Sequence, residues 1–366
     1  MEKIKRFIEC LIPITGCNLK CGYCYVIQRN KRSLQSAVMK YSPEQIGLAM
    51  NKMRWGGTCY FSICGAGETI LQKDIEEIVF NILKNGHYVN ITTNGTITNQ
   101  LNKILDKSLS FINHLHFSFS FHYLELLDKN LLDVFFDNVK KCKEKGASIM
   151  VQVNMCDEYL PYLEDMKNLC IKNIGAMPQI AATRKEMSGL QKIELLTSHT
   201  EQEYKMFGKS FNSPLFDFTM KNFNVKRKEF CYAGDWSGNL NLATGIFRRC
   251  YASCIHQDIF KNPKEKINFL AVGNHCGSSF CMNSSHFMSL GTIPSLQAPT
   301  YAHLRNRKES GWYTKEMENF LSGKLKDNNN EYSSFKKIIC NSVGLIDNLI
   351  YFIYVRIKKN RRKNAY

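Results

Sequence analysis

Apolar and polar positions in the first half of the chain alternate between two periodicities. Strand-like runs such as "TCYFSIC" and "HLHFSFSF" are followed by amphipathic segments such as "KDIEEIVFNILKNG", whose apolar residues share one helical face. "SPEQIGLAMNKM" begins with a predicted capping box, in which Ser42 is the N-cap and Gln45 is the third helical position. Residues 1–185 therefore contain six predicted strands interleaved with helices.

This alternation predicts an α/β fold. Strands separated by helices pair in parallel through right-handed crossovers, so six units predict a partial (β/α)6 TIM-like barrel. In such a barrel the functional loops follow the C-terminal ends of the strands. Residues 186–226 lack clear periodicity and are predicted to connect, and residues 227–290 form a small cysteine-rich auxiliary domain. Residues 291–366 form a C-terminal extension that contains the predicted linker "KLKDNNNEYSS" and a basic tail.

The composition fits a folded protein with bound metal. The 366-residue chain is 44% hydrophobic, and its fifteen cysteines occur in bunches, which favours ligation over disulfides. Glu9 interrupts the N-terminal apolar stretch and no cleavage site follows, so we expect a first strand in a cytoplasmic protein with reduced thiols. The net charge of +17 comes without a nucleic-acid-binding motif, so no nucleic-acid partner is expected.

Three cysteines, Cys17, Cys21 and Cys24, follow the first predicted strand in "ITGCNLKCGYCYV". Structural zinc sites usually combine paired CxxC units, and disulfide frameworks belong to short secreted chains. Three thiolates instead suit a [4Fe–4S] cluster whose fourth iron is left open for a small ligand. A chance motif and a zinc site with a distant fourth ligand are the alternatives.

This CxxxCxφC arrangement, ahead of repeated βα units, resembles the radical S-adenosylmethionine (radical SAM) superfamily. "CGAGE", at the end of the second strand, resembles the GGE motif of that family, and Ala66 between the glycines is a departure from it. The resemblance implies that Gly65, Ala66 and Gly67 approach the methionine end of S-adenosylmethionine (AdoMet). It places Glu68 near the amino group of AdoMet.

Further residues of the predicted AdoMet site lie on later strands. "TTNG" resembles the segment that ends the third strand in this superfamily. The resemblance implies that the open iron binds the amino and carboxylate groups of AdoMet. An electron from the cluster then cleaves the S–C5′ bond, which gives methionine and a 5′-deoxyadenosyl radical. The other predicted cofactor-binding residues are Tyr23, Thr92, Asn94, Ser118, Ser120, Gln152 and Asn154.

A second cysteine region lies further along the chain. Thirteen residues separate Cys231 from Gly245 and four separate Gly245 from Cys250, which resembles an element of the SPASM and twitch domains that carry auxiliary clusters. A β-hairpin would place one thiolate on each of its strands. The chain lacks the CxxCx5Cx3C run of a complete SPASM domain, so one auxiliary [4Fe–4S] cluster is predicted, with a zinc ribbon as the alternative. Cys254 competes for a place among the predicted ligands Cys231, Cys250, Cys276 and Cys281.

Three side chains are candidates for catalytic proton transfer or substrate binding. His122 and Glu125 follow the fourth strand, where barrel loops face an active site, and Asp235 lies between the hairpin cysteines. A lone histidine in a loop is more often part of the hydrogen-bonded structure. Cys156 ends a strand and Cys340 belongs to the tail, and the other cysteines are predicted to act as small hydrophobic residues: Cys10, Cys59, Cys64, Cys142 and Cys170.

The tail combines "LIYFIYV", which is too short to span a bilayer, with the basic "RIKKNRRK". It is predicted to lie on an anionic membrane surface, to dock a partner, or to be an ordinary amphipathic helix with a basic end. Peripheral contact with the inner membrane face would favour a lipid-linked glycan as substrate.

The resemblance implies an enzyme that abstracts hydrogen from a small-molecule or glycan substrate and oxidises or modifies it. An electron donor such as flavodoxin or ferredoxin is expected. A peptide-modifying maturase is the first alternative, which we rank lower because no N-terminal peptide-recognition domain is evident. A non-catalytic iron–sulfur or zinc protein, such as a redox sensor or scaffold, is the second, although it would not need "CGAGE" beside an open-iron triad.

Overall fold

The computed structural model describes residues 2–33, 35–185 and 193–363, with side chains described as far as residue 357. Within these ranges one sheet has nine strands: β1 (Arg6–Ile12), β2 (Cys59–Gly65), β3 (Tyr88–Thr93), β4 (Leu115–Ser120), β5 (Ser148–Met155), β6 (Gln179–Ala182), β7 (Ser237–Asn241), β8 (Ile246–Arg248) and β9 (His256–Asp258). Their order is β6-β5-β4-β3-β2-β1-β7-β8-β9.

The first six strands form the predicted barrel. Each pairs in parallel with its neighbour in the sequence, from β1 to β6. The sheet is open, with β6 and β9 at its two edges. The structure therefore confirms the partial (β/α)6 barrel. Ile12 pairs with Gly65, so β1 and β2 end side by side. The loops that carry the first two sequence motifs therefore leave the sheet at the C-terminal ends of the strands.

The helices bury the faces that the periodicity predicts. In α3 the buried residues are Ile75, Ile78, Val79, Ile82 and Leu83, and α2 begins with the predicted capping box. The helices of the described ranges are α1 (Tyr25–Gln28), α2 (Pro43–Ala49), α3 (Ile75–Lys84), α4 (Thr98–Lys107), α5 (Tyr123–Asp128), α6 (Leu132–Glu144), α7 (Leu163–Ile174), α8 (Glu201–Lys209), α9 (Pro214–Lys221), α10 (Ser284–Phe287), α11 (Tyr301–Arg305), α12 (Lys315–Ser322) and α13 (Ser334–Lys363).

The segment 186–226, which is predicted to connect, contains two helices. Residues 186–192 lie outside the described residues, but α8 and α9 follow them. α8 starts with a capping box in which the Thr200 hydroxyl accepts a hydrogen bond from the backbone N–H of Glu203. Ser213 caps α9 and also accepts a hydrogen bond from the backbone N–H of Ile180 on β6, at 3.0 Å. These two short helices escaped prediction because eight or nine residues give too few turns for a clear period.

The predicted linker "KLKDNNNEYSS" is also ordered. Leu325 is fully buried in a short 3-10 helix, Leu325–Asn328. The Asn329 side chain donates a hydrogen bond to the carbonyl of Lys5 at 2.8 Å, and Tyr332 donates its hydroxyl to Asp235. This part of the extension therefore packs across the N-terminal end of β1.

The auxiliary region extends the barrel sheet. β7 pairs in parallel with β1, and β8 pairs antiparallel with β7, which gives a hairpin. Contrary to the prediction, its strands do not carry the thiols, because Cys231 precedes β7 and Cys250 follows β8. β9 then pairs antiparallel with β8 at the sheet edge. Because β7 lies directly beside β1, the hairpin is adjacent to the strand that leads into the first cysteine motif.

The helix α13 is tied to the cysteine-rich region through Asp347. This buried carboxylate forms an ion pair with Arg249, which is also buried. It also accepts hydrogen bonds from the Ser253 hydroxyl at 2.6 Å and from the backbone N–H of Cys254 at 2.8 Å. By length and composition alone, Ser334–Ile357 is the one stretch of the described residues that is long and apolar enough to cross a membrane. The helix is therefore longer than the "LIYFIYV" run considered in the sequence.

Replacing Asp347 by Ala should lower the free energy of unfolding by about 3–5 kcal/mol, because Arg249 would stay buried without its carboxylate. The midpoint of denaturant unfolding measures this. Glu331→Ala is the matched control, since it breaks the exposed Lys337–Glu331 pair and should change stability by less than about 1 kcal/mol. Equal effects of the two substitutions would contradict the assigned role of Asp347.

Candidate active site and auxiliary cysteine site

The glycine motif after β2 is hydrogen-bonded to the segment that leads into the first cysteines. The backbone N–H of Gly67 donates to the carbonyl of Ile14 at 2.6 Å, and that of Glu68 donates to Gly16 at 2.7 Å. A Cβ on Gly67 would lie 2.2 Å from the Gly16 oxygen, closer than any real side chain permits. The parallel pairing of β1 and β2 thus continues into the loops, and only glycine fits at position 67.

The thiols of Cys17, Cys21 and Cys24 line one cavity at the C-terminal ends of the barrel strands. The Cys17 sulfur accepts hydrogen bonds from the backbone N–H of Leu19 at 3.4 Å and from the Asn94 amide at 3.6 Å. Burial raises the pKa of Cys21 to about 12 and also raises the pKa of Cys17. Buried thiols of this kind become thiolates when an iron binds them, because the metal supplies the missing positive charge. The three side chains therefore fit a cluster that each of them would ligate through a different iron.

Glu68 connects the glycine motif to the end of β3. Its carboxylate accepts hydrogen bonds from the Thr93 hydroxyl at 2.6 Å and from the backbone N–H groups of Asn94 at 2.7 Å and Ile70 at 3.1 Å. Burial raises the pKa of Glu68. The side chain thus holds two cavity loops together, in addition to the predicted contact with the AdoMet amino group.

The cavity has a volume of about 660 Å³ and lies at the C-terminal ends of the barrel strands. Most of the predicted cofactor-binding residues line it: Tyr23, Gly65, Ala66, Gly67, Glu68, Thr92, Asn94, Ser120 and Asn154. Ser118 and Gln152 do not, which corrects their predicted role. Each lies two positions before a lining residue on the same strand. The Ser118 hydroxyl donates a hydrogen bond to the side-chain oxygen of Asn90 at 2.8 Å. Both side chains therefore belong to a deeper layer of the barrel.

His122 lines the cavity, and the other two predicted catalytic residues do not. The His122 Nδ1 atom lies 2.6 Å from the Tyr23 hydroxyl, which is 3.2 Å from the hydroxyl of Tyr159. Burial lowers the pKa of His122 to about 4, so the ring is neutral at physiological pH. Glu125 instead accepts a hydrogen bond from the backbone N–H of Lys20 at 2.7 Å, which fixes the cysteine loop.

Asp235 lies at the opposite end of β1 from the cavity. It forms an ion pair at 2.9 Å with Arg6, the first residue of β1. The structure contradicts the prediction that Asp235 is catalytic, because a group at the N-terminal end of a barrel strand cannot reach loops at the C-terminal end. Cys156 is buried and is not a lining residue either.

Several cavity residues were not predicted from the sequence. Four of them are cationic, and two of these four, Arg184 and Lys185, follow β6 in the run "ATRK". Their position after a barrel strand was a usable signal, because such loops face the active site. Three others, Tyr251, Phe280 and Met282, each adjoin a predicted auxiliary ligand in the chain. Together the lining residues that escaped prediction include Arg29, Arg32, Arg184, Lys185, Tyr251, Phe280 and Met282.

The four predicted auxiliary cysteines lie together. Burial raises the pKa of Cys231, and the neighbouring thiols Cys250, Cys276 and Cys281 raise it further. Backbone hydrogen bonds between Cys231 and Gly273, at 3.1 and 3.0 Å, join the segment around Cys231 to the segment that leads into Cys276.

The backbone N–H of the competing ligand Cys254 donates a hydrogen bond to Asp347 of α13 at 2.8 Å. The Cys254 thiol shares the neighbour Tyr351 with the thiols of Cys250 and Cys276. In the described part of the chain, no three His, Cys, Asp or Glu side chains converge as a single metal ion requires.

Comparison with known proteins agrees with this architecture. Residues 11–169 match the family model of the Radical SAM superfamily. The chain is 37% identical over 79 residues to a probable GTP 3′,8-cyclase of Pyrobaculum aerophilum, a match that covers 22% of this chain and 24% of that protein. The match lies in the barrel segment, so this part of the chain is similar to the radical SAM superfamily.

Two solved structures are similar to the chain at low sequence identity. A histidine-tagged anSMEcpe with bound AdoMet is 12% identical, with a TM-score of 0.50 over 95% of this chain and 99% of that one. SuiB of Streptococcus suis bound to S-adenosylmethionine is 14% identical, with a TM-score of 0.48 over 70% of this chain and 64% of that one. The chain thus spans about a quarter of the cyclase and less than two thirds of SuiB.

Proposed function

We propose that the protein is a radical SAM enzyme that cleaves AdoMet reductively and abstracts a hydrogen atom from its substrate. The observation that carries this proposal is the cavity itself, in which Cys17, Cys21 and Cys24 are the only cysteines among the described lining residues. Three ligands leave one iron of a cluster open for a chelating molecule. A scaffold or redox sensor gains nothing from an open iron beside a large cavity, so we favour the enzyme over the non-catalytic alternative.

The chain contributes binding, orientation and exclusion of water. Cys17, Cys21 and Cys24 would hold the [4Fe–4S] cluster, and the backbone of Gly65–Gly67 would border the methionine end of AdoMet. When bound, the cluster and AdoMet supply one-electron cleavage of the S–C5′ bond and the hydrogen-abstracting radical. Neutral His122 would fix the Tyr23 ring beside the cluster. Hydroxyl and amide groups at the strand ends would hydrogen-bond the polar groups of the nucleoside, from Thr92, Asn94, Ser120 and Asn154.

Anaerobic reconstitution tests the proposal. The protein is loaded with iron and sulfide, supplied with AdoMet and dithionite, and the 5′-deoxyadenosine formed is measured by chromatography. Formation of 5′-deoxyadenosine in proportion to enzyme supports the proposal. A reducible cluster without any AdoMet cleavage would support the non-catalytic alternative.

The charge of the cavity favours a substrate with an acidic group. Arg29, Arg32, Arg184 and Lys185 line it, whereas Glu68 is the only acidic residue among the described lining residues. AdoMet carries one carboxylate and a net positive charge, so it needs fewer cations than these four. We therefore propose a small molecule or glycan that bears a carboxylate or phosphate, and a peptide with an acidic side chain is the alternative.

We also propose one auxiliary [4Fe–4S] cluster on Cys231, Cys250, Cys276 and Cys281. Tyr251, Phe280 and Met282 line the cavity and adjoin these ligands in the chain. An auxiliary cluster at this wall would accept an electron from an oxidised substrate. A one-electron donor such as flavodoxin or ferredoxin would reduce the first cluster, in a cytoplasmic setting.

Iron counting checks the auxiliary site. The triple Cys17/Cys21/Cys24→Ala variant should retain about half of the wild-type iron, because two clusters of equal size are expected. Adding Cys281→Ala to the triple variant should remove most of the remainder. Adding Cys254→Ala instead should not, because Cys254 is not one of the four proposed ligands. Zinc in place of iron, or no retained metal, would contradict the auxiliary cluster.

A further inference from the structure

The two faces of α13 have the reverse of the usual polarity. The side that faces the protein carries small and polar residues, among them Cys340, Gly344 and Asp347. The side that faces away is apolar, and its residues are exposed by between 42% and 73%: Phe335, Ile338, Ile339, Leu345, Ile346, Leu349, Ile350, Phe352, Ile353 and Ile357. A helix of a water-soluble protein normally buries its apolar face against the core. An exposed face of this size therefore indicates an apolar partner.

The inward face is fixed by specific contacts with the auxiliary region. The Asn341 side chain accepts a hydrogen bond from the backbone N–H of Asn274 at 2.9 Å, and the Asn348 amide donates to the carbonyl of His275. A Cβ on Gly344 would lie 2.8 Å from the Val272 oxygen, so the helix packs closely against this loop. Together with the Arg249–Asp347 ion pair, these contacts determine which side of α13 points outward.

The charges around the outward face identify the kind of partner. Lys336 lies near the start of α13, and Arg356 adjoins the basic run that ends it, residues 358–363. The exposed apolar residues extend from Phe335 to Ile357, which is about 35 Å at the helical rise of ~1.5 Å per residue. Basic residues beside a continuous apolar helix face match an anionic lipid surface, where the apolar face enters the acyl boundary and the cations meet the headgroups.

We propose that α13 lies in the plane of an anionic bilayer and anchors the protein there through this outward face. A bilayer-spanning arrangement would carry Asp347 and its partner Arg249 to the middle of the hydrocarbon, where charged groups are strongly disfavoured. Pairing with a second copy of the chain would need only a narrow apolar stripe, whereas here the exposed apolar residues cover most of the outward side. The proposal is independent of the reaction that the cavity supports.

Vesicle sedimentation with the full 366-residue chain tests the proposal. Phosphatidylcholine vesicles with and without phosphatidylglycerol serve as probes. The variant Ile346→Asn/Leu349→Asn/Ile353→Asn changes the outward face. The matched control, Val38→Asn/Leu48→Asn/Met53→Asn, changes three exposed apolar residues elsewhere on the surface. Circular dichroism and iron content show whether each variant folds.

The wild-type protein and the control should bind phosphatidylglycerol vesicles at least about tenfold more tightly than the outward-face variant, and added salt should weaken the binding. No binding of the wild-type protein to either vesicle would overturn the proposal. Resistance to extraction at alkaline pH, with release by detergent only, would indicate a spanning helix and overturn the in-plane arrangement. A wild-type dimer in ultracentrifugation that the outward-face variant abolishes, without vesicle binding, would assign the face to a second copy.

Discussion

Cys21→Ala should abolish the production of 5′-deoxyadenosine, with a fall of at least about 10³-fold in the initial rate. Cys21 is one of the three thiols in the cavity, and two thiols do not hold a cluster that keeps one iron open in a fixed orientation. AdoMet would then lose both its chelating metal and its source of electrons. The rate of 5′-deoxyadenosine formation with excess dithionite measures the loss.

The control is Cys142→Ala, which removes a buried thiol on α6 that is not among the residues lining the cavity. This variant should lose some stability from the small cavity that it creates, but it should keep both clusters and the cleavage activity. Iron analysis separates loss of the first cluster from global misfolding, because Cys21→Ala should keep the iron of the auxiliary site. Undiminished cleavage in Cys21→Ala would eliminate the open-iron site as the place of chemistry.

Gly67→Ala should lower the rate of AdoMet cleavage by about 10²-fold. The new Cβ would lie 2.2 Å from the oxygen of Gly16 and 2.7 Å from the carbonyl carbon of Thr15, both backbone atoms that cannot rotate away. One of the two loops must therefore move, which displaces the segment that leads into Cys17 from the wall that would border AdoMet. Binding of AdoMet, measured by isothermal titration calorimetry on the reconstituted protein, should weaken as well.

Ala66→Gly is the matched control for this substitution. It restores the two consecutive glycines of the family motif and removes only a methyl group, so cleavage and AdoMet binding should stay within a few-fold of wild type. Iron content should be close to wild type in both variants, if the loop moves without releasing the cluster. A Gly67→Ala enzyme as active as Ala66→Gly would show that the close approach of the two loops is unimportant.

Much of the candidate site could be predicted because it depends on short-range spacing. The three cysteines, the glycine motif and "TTNG" each lie within a few residues, and each directly follows a strand with a strong apolar pattern. Parallel pairing alone then places the loops after β1, β2 and β3 together at the C-terminal ends of these strands. The roles of individual residues beyond the strand ends were less predictable. Ser118 and Gln152 lie on the same strand faces as lining residues two positions later. The alternating pattern of a strand predicts which face a residue is on, but not how far it lies from the cavity.

The sequence by itself determined the alternation of strands and helices, the partial barrel and the two groups of cysteines, because these depend on local periodicity and on residues close together in the chain. Only the tertiary structure decided that Asp235 lies at the opposite end of β1 from the cavity, and that Arg184 and Lys185 line the cavity. It also decided which side of α13 faces outward, since that depends on Asp347 meeting Arg249, 98 residues away in the chain. Such contacts join distant segments, and their geometry follows from how the whole chain packs.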